Sequence, residues 1–538
     1  MSDVAVTVAK PKPAQGSLAK AVGWMALLLL VSKLLGFARD WLIVTVYGAS
    51  LATDAYFAAV QLPQASIVLL GGRGGPFHTA TVAALSKVIA RFSPEQADAG
   101  QAQATALAAT LTTVTSGVFM VLAGIVFWLA LPLSQLLLGG EQANPALVAA
   151  TAAQLRIMAP LVWLGSLVGI FYGALNVRQA FTSSALSPTM LSIAMIVGLL
   201  AFPADDAGLL LAMGTLVGGV LQVALQLPDY FKHGFTLRPT LSQVRSPEFN
   251  AMMGLLFPAM VGTTIGQALT FVDMGFTHHL PEGGWSAVTL ANRLMQLPIG
   301  VLQTALLVPL FPRLAEAVER QQPEELGRLV QQGVGALWWV TMPIMIFAFF
   351  WVEPVIRLVF EHGSFKPEHT AMVAWAVWFQ LASMLPYFLR DTLTRVFYAY
   401  NDSKTPLLVG VSAIGVKWLL NTLLVGGVWL NLGVGGITAS ITLVTLINLG
   451  WLMLLVRRHT TVIPFGALGV EAGRMALACL PAGLLWAWWC SPAGLGQGWV
   501  GMLTAFTLGV ASYAGMSVVL RLSHATQVLG MVRRKFGM

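Results

Sequence analysis

Fourteen apolar segments, each close to or above the length that a helix needs to cross a bilayer, run through this chain of 538 residues. They lie at 21–46, 51–72, 104–138, 147–176, 183–204, 207–228, 249–278, 285–311, 332–352, 370–400, 404–427, 433–456, 469–490 and 498–520. About 20 apolar residues suffice to span the hydrocarbon core as a helix. Charged residues make up only 10% of the chain, against about 25% in a soluble domain. The sequence therefore predicts an all-α polytopic membrane protein with 14 transmembrane helices and excludes a soluble fold.

The distribution of Lys and Arg between the apolar segments predicts the orientation of the chain. With the N-terminus inside, twenty of the thirty lie in cytoplasmic segments, and only Arg357 and Lys366 lie in external ones. An excess of these residues marks the cytoplasmic side of a membrane protein. We therefore expect both termini in the cytoplasm. The same topology explains the basic pI without nucleic acid as a partner.

Eight cations lie inside the apolar segments rather than between them. They are Lys33, Arg39, Arg73, Arg156, Arg293, Arg390, Arg395 and Lys417. A cation near the bilayer centre costs at least about 2.5–3.5 kcal/mol, so such residues normally face a bundle interior or a watery cavity. Three acids, Asp40, Asp273 and Asp391, clearly share these segments. The predicted interior is positively charged and suits an anionic substrate.

Short motifs recur in the two halves of the chain and predict two pseudo-symmetric six-helix lobes. In the first half Asp40 is followed by Leu62-Pro63, 22 residues later. In the second half Asp273 is followed by Leu297-Pro298, 24 residues later. In many transporters a repeat of this kind places the substrate site between the halves. We expect a disordered cytoplasmic tail at 1–20, an N-lobe at 21–232, a C-lobe at 233–460, and two further helices with a cytoplasmic tail at 461–538.

A glycine-rich stretch follows the second apolar segment. It runs Leu69-Leu-Gly-Gly-Arg73-Gly-Gly-Pro-Phe-His78. Each Gly costs a helix interior about 1 kcal/mol and a Pro about 3 kcal/mol, so the stretch is not a plain helix. Its backbone amides and Arg73 could form an anion-binding nest. The alternative is a simple turn into an amphipathic helix at 77–92, and the sequence leaves both open.

Several motifs, taken together, resemble one family over essentially the whole chain. They are Ser32-Lys-Leu-Leu-Gly-Phe-Ala-Arg-Asp40, Ala52-Thr-Asp-Ala-Tyr-Phe57, Leu62-Pro63, Ala291-Asn-Arg-Leu-Met-Gln-Leu-Pro298, Phe397-Tyr398 and Lys404-Thr-Pro406. In these residues the chain resembles the MurJ (MviN) family of lipid II flippases, within the superfamily of multidrug, oligosaccharidyl-lipid and polysaccharide exporters. The stretch around Arg73 is similar to the form found in cyanobacterial members.

The resemblance implies a substrate and a set of site residues. It implies transport of an undecaprenyl-pyrophosphate-linked disaccharide pentapeptide across a bacterial plasma (inner) membrane for peptidoglycan synthesis, with membrane lipid and cell-wall synthesis proteins as further candidate partners. Lys33, Arg39 and Arg293 match the family's cavity cations, and Asp54 matches a family acid. Arg73 stands where other members carry two arginines and a glutamate. Guanidinium groups suit pyrophosphate because they bind its oxygens in bidentate fashion.

Two of the acids have structural alternatives. Asp273 completes the candidate substrate site, but it could instead form an Asp–Arg clasp between helices. Asp40 follows Arg39 directly, and adjacent residues on a helix do not face one another, so we expect no automatic ion pair between them.

Three other classes of protein fit the sequence less well than a flippase working by alternating access. An ion-coupled small-molecule exporter of the MATE family would have a cavity rich in acids and aromatics, whereas this interior is rich in Lys and Arg. A membrane enzyme would need clustered nucleophiles, paired acids or metal-spaced histidines, and a scaffold would not require buried charge. The sequence contains no G-x-x-x-x-G-K-[ST] motif for ATP binding. We expect no cofactor, and a coupling ion such as sodium or a proton, or the membrane potential, as the energy source.

Overall fold

The computed structural model describes residues 15–70, 75–491 and 498–525, and these residues form helices and short connections without a β-strand. The predicted all-α class is therefore confirmed. The α-helices are α1 (Gln15–Tyr47), α2 (Leu51–Ala59), α3 (Gln61–Leu70), α4 (Pro76–Ala90), α5 (Ala97–Trp128), α6 (Ala130–Leu137), α7 (Pro145–Met158), α8 (Pro160–Val177), α9 (Phe181–Ala201), α10 (Leu209–Lys232), α11 (Pro247–Met274), α12 (Gly284–Leu302), α13 (Val308–Glu319), α14 (Pro323–Phe360), α15 (Pro367–Leu381), α16 (Met384–Ala399), α17 (Lys404–Leu424), α18 (Val434–Leu455), α19 (Phe465–Cys490) and α20 (Trp499–Val519).

The number of membrane spans is not confirmed as fourteen. Within the described residues, ten helices are long and apolar enough to cross a membrane, or eleven if the pair α15 and α16, bent by 48°, forms one span. The predicted segment 147–176 divides into α7 and α8, because Pro160 begins a new helix. Likewise, the segment 51–72 divides into α2 and α3. Hydropathy measures apolar length, and it does not locate breaks inside an apolar run.

Two compact units divide the described residues, and their boundaries fall inside helices. The first unit comprises Met1–Ile43, Ala59–Ala130 and Ala153–Thr263, and the second comprises Val44–Ala58, Leu131–Ala152 and Thr264–Met538, as far as these ranges are described. Helix α1 begins at Gln15, within the predicted tail at 1–20. The lobe boundaries predicted from the motifs remain a prediction.

Helix α8 is the centre of the first unit. Its residues from Gly165 to Leu175 are buried all round, and α3, α4, α5 and α10 pack against it. At Gly173 an added Cβ would lie 2.7 Å from the Cβ of Thr81, so glycine is what lets α4 approach α8 this closely. Because α4 starts immediately after the glycine-rich stretch, this contact fixes the position where the stretch ends.

Helix α14 organises the core of the second unit. The fully buried Trp351 belongs to this core, and α13, α15, α16, α19 and α20 pack against the helix. The indole of Trp486 on α19 donates a hydrogen bond of 2.7 Å to the carbonyl of Ala505 on α20. Its ring lies directly over Gly509, where any Cβ would collide with it. A buried indole needs a partner for its N–H, and the α20 backbone provides one.

Candidate functional site

Asp54 on α2 caps the N-terminus of α12. Its carboxylate accepts hydrogen bonds from the backbone N–H groups of Gly283 (2.8 Å) and Ser286 (2.7 Å) and from the Ser286 hydroxyl (2.6 Å). The side chain is 5% exposed. A helix N-terminus leaves its first N–H groups without partners and carries a partial positive charge, so it stabilises a buried carboxylate. Asp54 therefore joins two helices that are 229 residues apart in sequence.

The turn before α12 is built to admit this carboxylate. Gly283 has φ +78°, a conformation in which residues with a Cβ are strained, and an added Cβ would collide with the carbonyl of Ala49. The hydroxyl of Ser286 lies 2.9 Å from that of Thr53. Sequence reasoning missed Gly283 and Ser286, because a capping side chain contributed by a distant helix leaves no local pattern in the sequence.

Two arginines of the second unit lie over aromatic rings. The guanidinium carbon of Arg293 on α12 is 5.0 Å from the ring centroid of Phe57, on the same helix as Asp54. The guanidinium carbon of Arg390 on α16 is 4.7 Å from the ring centroid of Tyr387. Both distances fall within the range of cation–π attraction. The α2–α12 contact thus brings together Asp54 and Arg293, two of the predicted site residues.

Asp273 on α11 has a different environment. Its Oδ1 lies 3.0 Å from the ammonium of Lys417 on α17 and accepts a hydrogen bond of 2.8 Å from the Asn421 amide. Asp273 and Lys417 are 6% and 2% exposed. The clasp considered from the sequence is therefore present, but its cation is a lysine. Asn421 was missed because a single Asn in an apolar segment carries no distinguishing pattern.

Arg39 and Asp40 on α1 are in contact. The Arg39 Nη2 and Nε atoms lie 2.8 and 2.9 Å from Asp40 Oδ1, and both side chains are less than one-fifth exposed. Their adjacent positions did not by themselves predict an ion pair, but the structure brings the two side chains into contact. Lys33, on the same helix, is exposed.

Arg73 lies outside the described residues, and the structure does not test the anion-binding nest. The amphipathic helix expected after it is present as α4. His78 on α4 lies with its Nε2 2.5 Å from the amide nitrogen of Asn176, and its ring meets that of Tyr172 edge-on at 5.0 Å. The start of α4 is thereby held against α8 in the first unit.

The Lys404-Thr-Pro406 motif opens α17 after a turn that Asp402 caps. The Asp402 carboxylate accepts hydrogen bonds from the Thr405 hydroxyl (2.7 Å) and backbone N–H (3.0 Å), and these bonds lower the pKa of Asp402 to about 2. The His459 Nε2 lies 3.0 Å from the same carboxylate, and its ring stacks on Tyr400 at 5.0 Å. The motif is thus part of a polar junction between the ends of α16, α17 and α18.

The sequence model of the family described as "Lipid II flippase MurJ" matches residues 43–501. The chain belongs to the MurJ lipid II flippase family. This is a family of membrane transporters and not of enzymes. A probable lipid II flippase MurJ of Synechocystis sp. is 27% identical to this member over 471 residues, covering 85% of each chain. The lipid II flippase MurJ of Burkholderia cenocepacia is 28% identical over 430 residues, covering 77% of this chain and 80% of its own.

Solved structures agree with the fold of this MurJ-family chain. A lipid II flippase MurJ in an inward closed conformation superposes with a TM-score of 0.74 at 20% identity, covering 93% of this chain and 99% of its own. An inward-facing MATE family multidrug transporter superposes with a TM-score of 0.60 at 14% identity, covering 81% and 98%. The MATE likeness is one of fold alone, whereas MurJ membership rests on sequence as well.

Proposed function

We propose that this chain moves lipid II, the undecaprenyl-pyrophosphate-linked disaccharide pentapeptide of peptidoglycan synthesis, from the cytoplasmic to the external leaflet. The observation that carries the proposal is the match of the MurJ family model over residues 43–501. The chemistry of the substrate demands such a carrier, because its sugars, peptide and pyrophosphate cannot cross hydrocarbon without polar surroundings.

The cations predicted from the sequence are our candidates for holding the pyrophosphate. Arg39 and Arg293 offer guanidinium groups, which bind phosphate oxygens in pairs and keep their charge at any physiological pH. The stacking of Arg293 on Phe57 supports this role, because an aromatic ring orients a cation without neutralising it. Lys33, which is exposed, adds a point charge, and Arg73 adds a third guanidinium in this proposal.

Alternating access is the proposed mechanism, with the two predicted lobes moving about the cationic site. Asp54 belongs to the predicted N-lobe by its sequence position, but it lies in the same compact unit as α12, and the buried cap within this unit is our candidate for a contact that breaks when the external side opens. A carboxylate leaving a helix N-terminus can be rehydrated on that side. The cap would therefore act as a reversible latch rather than as a substrate ligand.

The remaining parts of the proposal concern the surroundings of the protein. We propose cytoplasmic N- and C-termini, as the positive-inside count predicts, and cell-wall synthesis proteins as partners that receive the lipid. No organic cofactor is required for a flippase. Sodium, a proton or the membrane potential would supply the energy.

Complementation tests the proposal directly. The chain and its Arg39→Ala and Arg293→Ala variants are expressed in a bacterium whose own flippase can be depleted, with membrane levels measured by blot. Rescue by the parent and failure of both variants is the expected result. Arg320→Ala is the matched control, because Arg320 is 65% exposed and pairs with Glu316 on the surface of α13. Failure of the well-expressed parent would refute the lipid II assignment, and rescue by both variants would refute the cationic site.

A further inference from the structure

The ammonium of Lys417, on α17, is buried among oxygen atoms contributed by two other helices of the second unit, α11 and α18. Its Nζ lies 3.0 Å from Asp273 Oδ1 on α11, 2.8 Å from the Ser440 hydroxyl and 3.3 Å from the Ile437 carbonyl, both on α18. An ammonium has three N–H donors and no acceptor. Three oxygen acceptors therefore match a protonated lysine, whereas a neutral amine would present a lone pair to one of them.

The oxygen atoms around the ammonium are held in place independently of it. Asn421, one helical turn from Lys417, donates from its amide nitrogen to Asp273 Oδ1 at 2.8 Å. The Ser440 hydroxyl donates to Asn421 Oδ1 at 2.5 Å. A chain of hydrogen bonds thus runs from α18 through α17 to α11 without passing through the lysine. Shortening the lysine would leave these oxygens close to their present positions.

The donor set is that of a small hard cation. Carboxylate, hydroxyl and carbonyl oxygens are the ligands preferred by cations of this kind. One carboxylate among neutral oxygens balances a single positive charge, and a buried carboxylate without a counter-charge is strongly disfavoured. The cage is therefore matched to a monovalent cation, and the lysine provides that cation covalently.

We propose that Lys417 is a tethered cation in a monovalent-cation cage formed by Asp273, Ser440 and the Ile437 carbonyl. In the natural chain the ammonium excludes exchangeable sodium from this position. With the lysine shortened, the cage binds sodium or a small ammonium ion. The proposal concerns cation binding, so its test does not depend on the substrate assigned under the proposed function.

Thermal unfolding of the purified full-length protein in detergent tests the proposal. Midpoints are measured for the parent and Lys417→Ala in sodium, choline or methylammonium chloride at equal ionic strength. We expect the parent to unfold at the same temperature in all three salts. We expect Lys417→Ala to unfold several degrees lower in choline and to be restored, saturably, by sodium or methylammonium, which fit the cage, but not by choline, which is too large.

A matched control separates a specific cage from a general salt effect. In the double variant Asp273→Asn with Lys417→Ala the charge of the cage is zero, so we expect no difference between sodium and choline. Lys417→Ser is the second variant, because its hydroxyl adds an oxygen ligand, and it should bind radioactive sodium at equilibrium where the parent does not.

Several results would overturn the proposal. They are an equal response of Lys417→Ala to sodium and choline, a sodium response of the parent as large as that of the variant, or a sodium response that survives in the double variant. Failure to recover Lys417→Ala and Lys417→Ser even in sodium buffer would also overturn it, since sodium is proposed to replace the missing ammonium.

Discussion

Removal of the Asp54 carboxylate should separate α2 from the N-terminus of α12. In Asp54→Ala three donors, the Gly283 and Ser286 N–H groups and the Ser286 hydroxyl, lose a buried charged acceptor. Hydrogen bonds to charged groups contribute about 1.5–3 kcal/mol each, but water can reach vacated donors and the effects are not additive. Loss of a helix cap alone costs about 0.5–2 kcal/mol. We expect a net destabilisation of about 2–4 kcal/mol.

The cap differs from a substrate ligand in its response to conservative changes. Asp54→Asn retains one carbonyl oxygen, which can replace Oδ1 as the acceptor for Ser286 but not Oδ2 as the acceptor for the Gly283 N–H, so we expect it to lose about half as much stability as Asp54→Ala. Ser286→Ala removes one bond. In the double variant that combines Asp54→Ala with Ser286→Ala, the loss of unfolding free energy should be smaller than the sum of the losses in the two single variants. The expected coupling energy is about 0.5–3 kcal/mol, as for residues in contact.

Thermal or denaturant unfolding in detergent measures these differences, and the depletion assay reports transport for the same variants. The reasoning predicts that stability and transport fall together in the order Asn, then Ala. A variant Asp54→Asn with unchanged unfolding and no transport would refute the latch and assign the carboxylate to the substrate. Additive effects of Asp54→Ala and Ser286→Ala would refute the cap itself.

Three further outcomes are expected. Gly509→Ala should lower the unfolding temperature because its Cβ collides with the Trp486 ring, at the typical overpacking cost of about 1–3 kcal/mol. Gly515→Ala on the same helix is the control, because no atom lies within 4 Å of its Cβ, and it should leave the unfolding temperature unchanged. Equal midpoints of the two variants would refute this packing. The depressed pKa of Asp402 means that its hydrogen bonds should stabilise the fold above about pH 4 and lose this contribution as the pH falls towards 2. Asp402→Asn should therefore show a smaller acid-dependent loss of stability in this window, by less than about 1 kcal/mol because the carboxylate is partly exposed to solvent, and an unchanged acid profile would contradict this. Arg390 lies over a ring as Arg293 does, so we add it as a further candidate for the cationic site: Arg390→Ala should lower rescue in the depletion assay, and full rescue at normal expression would exclude it from the site.

The sequence was sufficient for the class of fold and insufficient for the count of spans. Apolar length and the placement of Lys and Arg depend only on composition along the chain, so they predict a polytopic helical protein. The break before Pro160 and the 48° bend between α15 and α16 are changes of helix direction inside apolar runs, which hydropathy does not record. An apolar run of 30 residues, such as 147–176, can be one tilted helix or two shorter ones, and its hydropathy is the same in both cases.

The candidate residues could be predicted by type, whereas their partners could not. The family motif identified Asp54, and the position of Asp273 inside an apolar segment identified that residue, because buried charge needs an explanation. Their partners are backbone N–H groups at Gly283 and Ser286 and a lysine 144 residues further along the chain than Asp273. Backbone donors leave no signature in the sequence, and which of several cations meets an acid depends on how helices distant in sequence pack.

Two carboxylates and two guanidinium groups of the second unit have different kinds of partner. Asp54 is stabilised by a helix terminus and Asp273 by Lys417, so both carboxylates are satisfied within the protein. Arg293 and Arg390 lie over aromatic rings, and a ring attracts a cation without cancelling its charge. In this unit the two carboxylates thus have identified partners, and the two guanidinium groups are oriented by aromatic rings. In the proposed function these two guanidinium groups are candidates for contact with the pyrophosphate, whose oxygens a guanidinium binds through paired hydrogen bonds.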